Sequence, residues 1–215
     1  MIFRTTFIAA AVTLGLAFAA PQAMAQISGN PVKNMLGQAS DQALDQLSRP
    51  GAFSADSAIR IALPGLGGKG MNELMDLAGK AGMGGDITAA INRAAEQAAA
   101  QAKPIFRAAI DQATFSDGVG MLKGGDTGAT NYLRQSTGAQ IGNQLQPLVR
   151  AALQDAGVLQ QTAQLSSLGM TEARLTDYVV DKTTDGIFTY LGREETKLRK
   201  DPVGSGIKLL KGLKF

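Results

Sequence analysis

The chain has 215 residues, with 21 Lys+Arg against 18 Asp+Glu, and it contains no Cys, no His and no Trp. Without Cys there is no disulfide, thiolate nucleophile or cysteine-held metal centre, and without His there is no imidazole base or Ser-His-Asp relay. Any catalysis would fall to carboxylates, Lys, Arg, Tyr or hydroxyls.

Met1-Ile2-Phe3-Arg4 forms a short basic start, and Phe7 to Ala20 is an uncharged apolar run. Pro21 interrupts it, and Ala23-Met24-Ala25 supplies the small residues that flank a cut before Gln26. These three parts predict a cleavable export signal over residues 1–25 and a soluble exported product. The run is shorter than the ~20 residues a membrane span needs. Gln26 in place of Cys excludes lipid attachment at the cut. Cleavage removes Arg4 and no acid, leaving 20 basic against 18 acidic residues. That small surplus, with no basic stripe interleaved with aromatics, gives nucleic-acid binding no support.

In the mature chain, Val32, Met35, Leu36, Ala39, Ala43, Leu44 and Leu47 fall at intervals of three and four, which predicts a helix with one buried stripe. Arg49-Pro50-Gly51 ends it. Ser57 to Pro64 alternates and closes on Pro, so it reads as an extended stretch lying across helices. Gly65, Gly67, Gly68 and Gly70 follow. No Lys-Ser/Thr pair accompanies them, so they form a loop into a helix from Met71 to Ala81, not a phosphate cradle. Asp86 is placed to cap a helix from Ile87 to Ala113, kinked by Pro104 or split after Lys103. A short helix is expected over Ser116 to Leu122.

Lys123-Gly124-Gly125-Asp126-Thr127 marks a sharp turn, with Asp126 or Thr127 capping a helix toward Arg134. A separate helix is expected from about Thr137 to Asp155, bent or restarted at Pro147 and ended by Gly157. Val158 to Leu168 reads as another helix. Thr171 caps the longest one, Glu172 to Lys200, with Leu175, Tyr178, Val179, Ile187, Tyr190, Leu191 and Leu198 on its buried side and Asp201-Pro202 at its end. The expectation is an all-α fold: a single irregular bundle of about seven to nine helices over residues 26–202, with a basic amphipathic segment over 203–215.

Seven blocks stand in order: Ile59-Arg60-Ile61-Ala62-Leu63-Pro64, Ile91-Asn92-Arg93-Ala94-Ala95-Glu96, Gly124-Gly125-Asp126, Asp177-Tyr178-Val179, Asp185-Gly186-Ile187-Phe188, Glu194-Glu195 and Arg199-Lys200-Asp201-Pro202-Val203. Together they resemble the DUF4197 family, from about Asn30 to the C-terminus. The resemblance implies an exported helical domain of Gram-negative bacteria with no established activity. Thr127 stands where the family usually has a second Asp, and Ala62 where it usually has Pro.

The Gly124-Gly125-Asp126-Thr127 turn is the best candidate site, because glycines free the backbone and a helix start offers N–H groups to an anion. Its alternative is a plain helix cap. Asp126 speaks against an anion, since its carboxylate would take those donors, and a calcium site would need six to eight oxygens. Arg93 and Glu96, with Arg60 and Arg107, would form a buried charged network if the extended stretch crosses the long helix near Arg93. Asp177 and Asp181 lie one helical turn apart, a spacing common on solvated faces.

From Leu191 to Phe215 there are seven basic and three acidic residues, so the rest of the mature chain is net acidic. Lys208, Lys211 and Lys214 share one helical face, with Ile207, Leu210 and Leu213 away from it. Such an end either lies on an anionic membrane surface or docks on the bundle with its lysines in water. The function expected is non-catalytic: an interaction module for a protein or the anionic envelope membrane surface, with no cofactor. The alternatives are a carrier of an apolar ligand such as a lipid, and a hydrolase using Asp126 and Glu96.

Overall fold

The computed structural model describes residues 31–62, 84–115, 124–160 and 171–201. The fold is all-α, and no strand occurs among the described residues. Six helices organise it: α1 (Pro31–Leu47), α2 (Ala52–Ala55), α3 (Gly84–Gln101), α4 (Lys103–Gln112), α5 (Gly128–Asp155) and α6 (Glu172–Lys200). The expected leader, the glycine loop and helix over 65–81, the helix over 116–122 and the C-terminal segment lie outside the described residues. The expected helix from Val158 is helical through residue 160, and its remainder also lies outside them.

Helix α1 follows its apolar stripe. Val32, Met35, Leu36, Ala39, Ala43, Leu44 and Leu47 are all buried. The chain then reverses at Gly51, whose φ of 84° is open to glycine at no steric cost. α6 is the central element. It packs against α5, α1 and α3, and it begins at Thr171, whose hydroxyl accepts from the Arg174 N–H at 3.3 Å. Both expected ends of this helix hold. Phe106 and Phe188 tie α4 to α6, their ring centroids 5.5 Å apart.

Three expected boundaries are corrected. α3 starts at Gly84, which places Asp86 inside the first turn and not at the cap. The helix that follows is split at Ala102, one residue before the expected break: Pro104 sits in the first turn of α4, where its missing N–H costs nothing. The two helices expected over 127–155 are one continuous helix, α5, with Pro147 inside it. Its buried residues Leu133, Thr137, Ile141, Leu145, Val149 and Leu153 recur every four positions. A stride of four advances around a helix by about 40° per step, so the stripe winds and no fixed face is visible in the sequence. Pro147 is exposed on the outer side, where carbonyls freed by its missing donor meet water.

The extended stretch does cross the helices. Asn92, on α3, accepts from the Ile61 N–H at 2.9 Å and donates to the Ile61 carbonyl at 2.7 Å, much as a neighbouring strand would. Ile59 and Ile61 point into the core, and the Tyr178 hydroxyl of α6 donates to the Ala62 carbonyl at 2.8 Å. One buried amide thus satisfies backbone groups that no strand among the described residues pairs.

Candidate functional site

The Gly124–Thr127 turn is built as the glycines require. Gly125 has φ 88°, its carbonyl accepts from the Gly128 N–H at 3.1 Å, and Gly124, Gly125 and Asp126 are exposed. Thr127 stands at the N-cap position as expected, and its carbonyl accepts from the Asn131 N–H at 2.9 Å, but its side chain makes no capping bond; the carboxylate that satisfies the helix start arrives from α6. Glu195, fully buried, accepts from the Ala129 N–H at 3.1 Å, the Thr130 N–H at 2.8 Å and the Thr130 hydroxyl at 2.5 Å. Arg199, one turn further along α6, donates to the same carboxylate at 2.9 Å, and both side chains are out of solvent. The helix start that looked free to take an anion is already filled by the protein's own.

Glu96 works the same way. It is 4% exposed, and its two oxygens accept from the Gly51 N–H and the Phe53 N–H, both at 3.1 Å. It therefore fastens the α1–α2 turn to α3. The expected network of Glu96 with Arg93, Arg60 and Arg107 does not form. Arg93 and Arg60 are exposed, and Arg107 pairs instead with Asp41 on α1. The extended stretch does pass beside Arg93, but Asn92 is the residue that receives it. Lys208, Lys211 and Lys214 lie outside the described residues.

The sequence signal for Glu195 was there to be found. It follows Leu191 by four and precedes Leu198 by three, so a carboxylate stands in the register of a buried stripe. A charge in that register needs a partner.

Asp56 anchors a second charged junction, between the end of α2 and α6. Its carboxylate accepts from the Ala58 N–H at 2.9 Å and the Tyr190 hydroxyl at 3.0 Å, and it pairs with Arg193, which lies over the Tyr190 ring. The hydrogen bond from Arg193 is the main reason that the Asp56 pKa falls from 3.8 to about 2, helped by the Ala58 N–H. Burial, and then the bond to Asp56, push the Tyr190 hydroxyl up. A depressed carboxylate pKa stabilises the fold above the unfolded value and loses that stabilisation as pH falls through the folded one. Wild type and Asp56→Asn should therefore differ most in urea midpoint above about pH 4, with the gap closing as pH drops toward about 2. A gap that stays constant across that range would refute the linkage.

A long trough runs along the seam between α5 and α6, which lie antiparallel. Thr130 meets Glu195 at one end, and Arg150 pairs with Glu172 at 2.7 Å at the other. The trough has a volume of about 790 Å³ and is open to solvent. Gly138 and Gly142 of α5 form part of its floor, with Phe188 and Val180 of α6 across from them. Asp177, Asp181 and Asp185 line its α6 wall at a stride of four, and Arg134, Asn143 and Gln146 line its α5 wall. Arg134 pairs with Asp185, and the Gln146 amide donates to Asp177 at 3.1 Å. Asp181 is exposed and has no ion pair among the described residues. Two carboxylates foreseen as surface charges are thus parts of a shaped groove. The missed signal was the Gly138–Gly142 pair at i, i+4, which brings a helix backbone close to whatever lies beside it.

Among the described residues, no group of three or more acidic side chains could hold a metal ion, and no helix is long and apolar enough to cross a membrane. The family model for proteins of unknown function DUF4197 matches residues 23–213. The chain belongs to the DUF4197 family. That membership agrees with the order of the seven blocks, and each now has a structural role, carried in chain order by Ile61, by Asn92 and Glu96, and by Gly125, Tyr178, Phe188, Glu195 and Arg199. No curated protein and no solved structure matches the chain.

Proposed function

We propose that this DUF4197 protein is an exported, periplasmic interaction module without catalytic chemistry of its own, and that it seats a helix of a protein partner in the α5–α6 trough. The observation that carries the reading is the trough itself. Two antiparallel helices with glycines on the floor leave room for a third helix to lie along them, the helix-in-groove mode of recognition. From Arg134 to Gln146 the α5 wall covers about 18 Å, enough for three turns of a guest helix. On the wall Asp177 and Asp181 have no ion pair among the described residues, and with Lys182 also lining the trough the carboxylates still outnumber the cations, so the guest is expected to present a Lys or Arg beside an apolar stripe. Of the two acids considered for a hydrolase, Glu96 spends both oxygens on backbone N–H groups, and Asp126 stands exposed on a different turn. The apolar-carrier reading draws less support, since the trough is open and its walls are charged.

The test is Gly142→Leu. A Cβ at Gly142 would meet only ordinary contacts, the nearest being Val180 Cγ1 at 3.8 Å, so the side chain fills the trough and leaves the fold intact. With a photoreactive residue at Ala139, wild-type cells should yield one discrete crosslinked adduct, and Gly142→Leu should lose it while keeping its helical circular dichroism and melting temperature. Crosslinking that persists in Gly142→Leu, or that matches a probe placed on the exposed side of α3, would sink the proposal.

A further inference from the structure

Arg107, Arg134, Arg150, Arg193 and Arg199 each hold a carboxylate. Arg49, Arg60 and Arg93 are exposed and hold none among the described residues. These three are gathered by the fold. Arg49 sits two residues before Gly51, whose N–H is bound by Glu96 of α3. Arg60 directly precedes Ile61, which is clasped by Asn92, the neighbour of Arg93. The acids close to them along the chain are committed elsewhere: Asp45 pairs with Lys103, Asp56 with Arg193, and the Glu96 oxygens take backbone N–H groups. Glu96 keeps its negative charge, so the three guanidiniums leave a net positive balance on this side of the α1–α2 turn.

A cavity of about 400 Å³ opens at this place, and it shares no residue with the α5–α6 trough. Arg93 lines it together with Ser48, Ser54 and Gln97, which all bring side-chain donors; Glu96 lines it too, its two oxygens held by the Gly51 and Phe53 N–H groups. The Ser48 hydroxyl otherwise reaches only the Asp45 carbonyl, at 3.2 Å. We propose that this cavity is an anion site that takes a phosphate group, with the Arg93 guanidinium as its principal ligand and Arg49 and Arg60 supplying the surrounding field. A guanidinium presents parallel N–H donors that match two phosphate oxygens, and hydroxyl and amide donors complete the set. The cavity is larger than a bare ion needs and leaves room for a substituent on the phosphate: free phosphate and a phospholipid headgroup share this chemistry.

The experiment uses the full mature chain and Arg93→Gln, whose site is exposed and whose melting temperature should not change. Titration with inorganic phosphate at low salt should give saturable binding to wild type, weakened by about tenfold in Arg93→Gln and suppressed by added salt. Co-sedimentation with phosphatidylglycerol vesicles, against phosphatidylcholine, then identifies the source. The C-terminal lysines are present in both proteins, so only the difference between them counts. A loss of sedimentation in Arg93→Gln assigns the site to a lipid headgroup. Phosphate binding that depends on Arg93, with sedimentation that does not, assigns it to a free phosphate compound. Equal behaviour of the two proteins in both assays overturns the proposal.

Discussion

Glu195→Ala should lower the unfolding free energy by about 3–5 kcal/mol, the largest loss expected of any single substitution described for this protein. The carboxylate accepts from two backbone N–H groups and a hydroxyl at the start of α5, all buried. Alanine removes every one of those acceptors at once and leaves the donors in a dry site. It also takes the carboxylate away from Arg199, whose side chain is 6% exposed. An uncompensated buried guanidinium is the costlier part. The double variant Glu195→Ala/Arg199→Met should therefore recover a measurable share of the loss, since an apolar side chain asks for no partner. Guanidinium denaturation of the four proteins in a double-mutant cycle reads the coupling directly. A loss below about 1 kcal/mol for Glu195→Ala would show that water replaces the carboxylate with ease.

Gly186→Val should cost about 2–3 kcal/mol, although valine is a better helix former than glycine. A Cβ at Gly186 would stand 2.7 Å from Phe53 Cε1, 3.2 Å from Phe53 Cζ and 3.5 Å from Ile59 Cβ. Phe53 is fully buried at the foot of α2, so its ring has little room to withdraw. The absence of a side chain on α6 is what lets α2 and the extended stretch close over it. Shortening the intruder's neighbour, Phe53→Leu, should cost stability in the wild type and less in Gly186→Val. Gly142 provides the contrast within the same bundle: its Cβ space is free, and Gly142→Ala should gain up to about 1 kcal/mol from helix propensity. Thermal melts of Gly186→Val and Gly142→Ala, measured side by side, separate crowding from propensity.

Much of the fold was legible because it is carried by local signals. The α1 stripe, the Thr171 cap and the stop at Asp201 each depend on residues within a few positions of one another. The α5 helix was not legible, because its buried stripe winds around the helix and Pro147 imitates a boundary. The capping of α5 was hidden for a different reason. Residue order places Asp126 and Thr127 beside the helix start, yet the acceptor comes from position 195, and no local rule counts a carboxylate 66 residues away as a cap. The Arg93–Glu96 block was noticed as a pair, although the two side chains serve opposite ends of the dielectric scale: one is clamped inside on amide protons and the other is left in water. The trough is not legible in the sequence because it belongs to α5 and α6 jointly, and the residues of neither helix alone mark it.

The placement of Glu195 bears on the order in which the protein becomes itself. A chain that emerges from its N-terminus meets water with α5 complete in length but with its first turn open, and nothing made up to that point can close it. The closing group arrives only when nearly all of α6 has followed. A product broken off anywhere before that residue lacks the clasp, however much helix it contains, and offers a frayed end to proteases. The start of α5 is thus completed only by a residue near the far end of α6.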